Sequence, residues 1–372
     1  MSRMTDTSAP LAGVHVVDLT TSLGEYAGRL LADLGAYVER FDAGADRTSA
    51  PHRWAFMNVG KAVRREPPRE AELAELLTTT QILITSEGPA ALAARGLNPE
   101  RLCRRHPALI HLAISPFGLT GPYADRPASD LTLLAAGGLL ALAGDPDREP
   151  LRAWGEQTAV IAGVHAATAV LIALYVLESD GRGQVVDVSA QEAVAHSLEN
   201  AAQYYDLEQV VRRRAGAGPR EAGTGLFRCA DGWIYLVGGL GGSPLAWDAI
   251  GDWLIDGGHP DAADLRSSCW QDPVFRRSEG AGARFREIFE AFAGPRTKTE
   301  LFGSGQQRGI SVAPVATPHD LLSDPQLLAR DFFRTLDVEG APVTLPGPPY
   351  RFRHSDVGPA SAFTDTSAGG RS

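Results

Sequence analysis

A mostly apolar run with little alternation, from Val14 to Leu19, gives way to helical spacing from Tyr26 to Leu34 and then to a second strand from Tyr37 to Phe41. A strand covered on both faces loses the in-out alternation of a one-sided sheet, so this opening reads as a β-α-β unit. Such a unit commits the chain to parallel pairing, because the helix must cross over to bring the second strand alongside the first. The alternation continues with strands at Gln81 to Thr85, Leu109 to Ile114 and Val185 to Val188, and helices at Pro89 to Arg95 and Pro99 to Arg105. The expected fold class is α/β, with a doubly wound parallel sheet in a large domain. Dinucleotide binding is disfavoured, since the turn after Asp18 reads LTTSLGEY and neither a GxGxxG nor a GxxxxGK[ST] motif occurs.

A chain of 372 residues exceeds the usual size of one core, and about two domains are expected. From Thr224 the pattern changes: GLFRCADGWIYLVGG reads as a hairpin turning at Ala230-Asp231-Gly232, followed by a helical stretch carrying Trp247, Trp253 and Trp270. We expect the first part of the large domain over 1–200, a linker over 201–223 and a smaller α+β domain over 224–323. The tail after Phe363, TDTSAGGRS, is small and polar and reads as disordered.

The net charge of -10, with no basic run, argues against nucleic acid as a partner. Cys103, Cys229 and Cys269 are too scattered for a disulfide framework or a zinc site, so no metal is expected. Sparse cysteine and an N-terminus without an apolar leader core fit a cytoplasmic protein. Val160 to Leu177 lacks Asp, Glu, Lys and Arg over a length that could span a bilayer. Its alanines, Gly163 and His165 make it a buried helix instead, and no membrane partner is expected.

Four segments remain that ordinary packing does not require. ISPFGLTGPYADRPASD, from Ile114 to Asp130, is a strand that runs into a Gly-rich polar loop. LAGVHVVDLTTSLGEYAGRLLADLGAYVERFDAGAD from Leu11, with Asn58-Val59-Gly60-Lys61, precedes it. GRGQVVDVSAQEA from Gly181, and DPQLLARDFF from Asp324 with PGPPYRF from Pro346, follow it. In this order and spacing the chain resembles the family III CoA-transferases, also called the CaiB/BaiF family, over nearly its whole length. The resemblance implies that 324–372 is a linker and a return to the large domain, which is then built from both chain ends, in a dimer whose chains interlock as rings. It also implies coenzyme A or acyl-CoA thioesters and carboxylic acids as substrates.

In that family a carboxylate near the start of the helix before the GRGQ segment attacks the thioester, so that covalent catalysis splits one hard transfer into easier steps. Here the helix begins WGEQTAVIAGVHAA, and pairing its Gly163 with the family's Gly puts Ala159 at the carboxylate position. Alanine cannot act as a nucleophile. Glu156, one helical turn away, is a weak catalytic candidate, and at a helix N-terminus it would also complement the positive end of the helix. A homologous subunit bearing the Asp is the favoured source of the missing group. The alternatives are a homodimeric acyl-CoA-binding enzyme with changed chemistry, of lyase or hydrolase type, and a non-catalytic binding protein. For CoA itself the resemblance points to Ser22, Leu23 and Gly24 in the first turn, to Arg40, to Asn58 and Lys61, and to Arg95, with Lys61 meeting the diphosphate as a point charge.

Overall fold

Val16 and Val17 are adjacent in sequence and both wholly buried, yet they join different apolar clusters. Val16 packs with Leu31, Ile82, Ile84, Ile110 and Ala166, while Val17 packs with Leu83, Leu92 and Leu109. Successive side chains point to opposite faces of a strand, so the sheet is covered on both sides, as the missing alternation required. The computed structural model describes residues 9–42, 50–214, 216, 221–240, 243–338, 340–359 and 364–365.

Contacts divide the chain into two units, one of residues 1–142, 151–212 and 325–372 and another of 143–150 and 213–324. The first holds strands β1 (His15–Asp18), β2 (Tyr37–Phe41), β3 (Ala62–Arg64), β4 (Ile82–Thr85), β5 (Ile110–Ser115) and β6 (Val185–Ser189). They form one parallel sheet in the order β3-β2-β1-β4-β5-β6. A seventh strand, Thr364–Asp365, pairs in parallel with Ala62 and Val63 at its edge. The polar tail expected to be disordered therefore contributes a strand here, and both ends of the chain build one sheet.

Helix α1 (Glu25–Asp33) crosses from β1 to β2, and α2 (Pro51–Asn58) precedes β3. Helix α3 (Gln157–Asp180) runs 24 residues and stops at Gly181, whose φ of 66° is the left-handed conformation that glycine adopts without cost. Gly163 lets α3 approach α1 closely, since a Cβ there would stand 2.9 Å from Tyr26 Cβ. The expectation of a buried helix holds for one side only. Ala162, Ala166, Val170 and Ala173 are buried, but Val164, Leu171, Ile172 and Tyr175 are exposed, and only 39% of the most apolar stretch is covered by this chain.

The second unit is built on the expected hairpin, β7 (Thr224–Cys229) with β8 (Gly232–Val237), extended by β9 (Ser311–Pro314) antiparallel to β8. Its core is aromatic. Phe285 and Phe289 stack with centroids 5.7 Å apart on α5 (Glu279–Ala293), Trp247 and Trp270 stack at 5.5 Å, and Trp253 meets Phe292 edge-on. Trp247 and Trp253 lie on α4 (Trp247–Asp256), and both are buried.

Candidate functional site

The strand order reverses at β1, with β2 on one side and β4 on the other. In an open parallel sheet, this is where the loops at the carboxyl ends of the strands diverge and leave a crevice. The turn from Leu19 to Gly24 leaves β1 there, and Ser86 leaves β4. The two loops are tied together: the Thr21 amide donates to Ser86 Oγ at 2.7 Å, and the two hydroxyls lie 3.0 Å apart. Ser22 is exposed, Leu23 is half-buried and Gly24 is buried.

Directly beneath the turn lies a cluster of buried charges. Asp18, at the end of β1, accepts from Lys61 Nζ at 3.0 Å through one oxygen. Its other oxygen accepts from the Thr20 amide at 3.0 Å, the Thr20 hydroxyl at 2.7 Å and Arg40 at 3.3 Å. Lys61 also donates to the Glu25 carbonyl at 2.9 Å, and Arg40 donates to Glu25 Oε1 at 2.6 Å. Burial alone would raise the Asp18 pKa, but Lys61 and Arg40 outweigh it and hold the carboxyl below its ordinary value. Burial lowers the pKa of Lys61 despite its carboxylate partner. Gly28 makes the pairing possible, because a Cβ at that position would stand 2.6 Å from Asp18 Oδ2.

Lys61 and Arg40 both point inward. The side chain of Lys61, expected to meet the diphosphate, is wholly buried and that of Arg40 is 3% exposed, and both are paired with Asp18. Asn58 is also buried, and its amide donates to the Trp54 carbonyl at 3.0 Å. Arg40, through the Thr20 carbonyl and hydroxyl, and Lys61, through the Glu25 carbonyl, bracket the first turn from behind. Arg95 is the exposed cation of the expected set, paired with Glu87, whose carboxylate also accepts from the Ser86 amide. A cavity of about 450 Å³ opens beside it, lined by Leu19, Leu73, Leu77, Arg95, Arg105 and His106. That volume is within the range of small-ligand pockets.

The start of α3 completes the site. Thr158 donates its amide to Asp130 Oδ1 at 2.9 Å and its hydroxyl to the Asp130 carbonyl at 3.2 Å, anchoring the first turn to the loop that follows β5. Ala159 is 4% exposed, with no polar atom in its side chain. Glu156, the residue before the helix, is ion-paired: its Oε2 accepts from Arg53 Nε at 2.8 Å and lies 2.6 Å from Nη2, which donates to the Ser22 carbonyl at 3.4 Å. Arg53 spends its remaining nitrogen on Glu25 Oε2 at 2.6 Å. Burial disfavours a charge on Arg53, yet the two carboxylates more than offset this and raise its pKa.

The profile of CoA-transferase family III matches residues 11–362. The chain belongs to CoA-transferase family III. Such enzymes use CoA thioesters as substrates. The chain is 37% identical over 362 residues to the succinyl-CoA:(R)-benzylsuccinate CoA-transferase subunit BbsE of Thauera aromatica, covering 91% of this chain and 87% of that protein. It is 30% identical to the alpha subunit of succinyl-CoA--L-malate CoA-transferase from Chloroflexus aurantiacus, covering 89% and 80%. A crystal structure of a CaiB/BaiF family protein from Brucella suis superposes with a TM-score of 0.84 at 25% identity, covering 96% of this chain and 97% of that one.

Sequence reasoning did not single out Asp18, Glu25 or Arg53 in this candidate site. The buried acid Glu25 sits between two arginines, one on β2 and one on α2. The available signal was its own oddity: a carboxylate in a turn expected to face phosphates needs cationic partners.

Proposed function

We propose that this chain is the subunit lacking the nucleophile in a two-subunit CoA-transferase that exchanges CoA between succinyl-CoA and a second organic acid. Ala159 carries the reading. It occupies the first turn of α3, where a family member would present its carboxylate, and the nearest acid, Glu156, is committed to Arg53. The uncovered face of the same helix, Val164, Leu171, Ile172 and Tyr175, supports a large apolar partner surface. Two relatives named as subunits of succinyl-CoA-dependent transferases support both the partner and the thioester. A sheet built from both chain ends is compatible with an interlocked-ring dimer.

In this assembly the partner's carboxylate attacks the thioester carbonyl, giving an acyl anhydride and CoA thiolate. The thiolate then displaces the acid from the anhydride, leaving CoA joined to the enzyme carboxyl, and the second acid takes it over through a further anhydride. This chain contributes the CoA-contacting turn of Ser22, Leu23 and Gly24, with Arg95 at the cavity, while Arg40 and Lys61 hold that turn in place.

Native mass spectrometry of the chain recovered from its own cells tests the proposal. The expected result is a stoichiometric homologous partner with Asp at the position of Ala159, and CoA transfer only by the pair. A homodimer with full turnover that is lost in Glu156→Gln would overturn it in favour of chemistry through Glu156. A homodimer that binds thioesters without turnover would overturn it in favour of a binding protein.

A further inference from the structure

Arg53 stands between two carboxylates that differ in permanence. Glu25 is wholly buried and held from the other side by Arg40, so its bond to Arg53 is part of the interior. Glu156 is 35% exposed, precedes the helix, and can leave toward solvent without opening the core. Its pairing is also incomplete. Arg53 Nε and Nη2 converge on one oxygen, Oε2, whereas a free carboxylate can offer both oxygens to the two parallel N–H groups of a guanidinium fork. The N-terminal end of the 24-residue helix α3 adds a potential that favours a negative charge at the same place.

We propose that Arg53 is a carboxylate-binding site for a small dicarboxylic acid, occupied by Glu156 when the acid is absent. The incoming carboxylate displaces Glu156 and takes the fork in bidentate fashion, while Glu25 keeps the guanidinium oriented. No covalent change is involved. The choice of dicarboxylate rests on the proposed transferase function, but the site itself does not depend on a partner carrying Asp.

The test is calorimetric titration of the assembly as purified with succinate, using chloride at matched ionic strength as blank. In Glu156→Ala the internal competitor is gone and the core pair is intact, so succinate binds at least about tenfold tighter than to the natural chain. Adding Arg53→Gln to Glu156→Ala removes that gain, and Arg53→Lys, which keeps the charge but not the fork, retains only part of it. Equal succinate affinity in the natural chain and Glu156→Ala overturns the proposal, whether or not the Arg53→Gln form folds. So does a double variant that binds as tightly as Glu156→Ala. A homodimer in mass spectrometry would defeat the two-subunit reading and leave this titration valid, so the two failures are separable.

Discussion

The two units hide opposite materials in their interiors. Beneath the first turn of the parallel sheet lie Asp18, Glu25, Arg40 and Lys61, all buried and mutually paired. The second unit buries Phe227, Phe285, Phe289 and three tryptophans around β7 and β8, and among its described residues the buried charges are the Glu221–Arg276 pair. An aromatic core rewards volume and tolerates any apolar group of the right size. A charged cluster rewards pairing, since a lone charge out of water is expensive and well-packed apolar groups would serve stability as well. The charges kept in the interior at the mouth of the parallel sheet tie β1, β2 and the start of α1 to one another.

Paired substitutions break or sharpen this contrast. Lys61→Ala and Lys61→Met should each cost about 3 kcal/mol in urea unfolding, because both leave Asp18 Oδ2 buried without its partner and the length of the replacement does not matter. In the second unit Phe289→Ala should cost a similar ~3–5 kcal/mol, but Phe289→Leu markedly less, because there volume decides. If Lys61→Met proves nearly as stable as the natural chain, the cluster is ordinary packing and the contrast fails.

A smaller effect concerns His111 on β5, buried against the Thr85 hydroxyl at 3.0 Å and pushed down by burial to about 4. The unfolded chain takes up this proton near pH 6.5, before the folded one does, so stability rises with pH across that window. His111 should cost nothing above about pH 6.5, and about 3 kcal/mol should be lost progressively as the pH falls toward 4. Unfolding of His111→Leu should show a correspondingly shallower pH slope over this range, and an unchanged slope would clear His111 of the role. Smallest is the Arg53–Glu156 pair. Because Glu156 is more than a third exposed, Glu156→Ala should shift stability by less than about 1 kcal/mol while changing succinate affinity. A large stability loss would make the pair a structural strut.

Much of the first unit was legible along the chain. The strands expected at Tyr37 to Phe41 and Gln81 to Thr85 match β2 and β4 to within a residue, because a strand covered on both faces loses the polar alternation of a one-sided sheet. Strand β3 escaped notice because three residues carry no period, and Thr364–Asp365 because its pairing is entirely backbone. The apolar character of α3 was plain, but the uncovered state of its Val164 and Ile172 side was not, since hydrophobicity does not say which surface does the covering.

Sequence alone determined the β-α-β grammar, the family and the absence of a carboxylate at Ala159, since each of these is a property of residue identity at a position. Tertiary structure decided what the charges do. Lys61 is a cation in any reading, but its partner is Asp18, 43 residues earlier, and Arg53 meets Glu156 103 residues later. Whether a cation faces a ligand or a carboxylate of its own chain depends on which distant residues the sheet and helices bring within about 3 Å, where electrostatics in a low-dielectric interior are strongest.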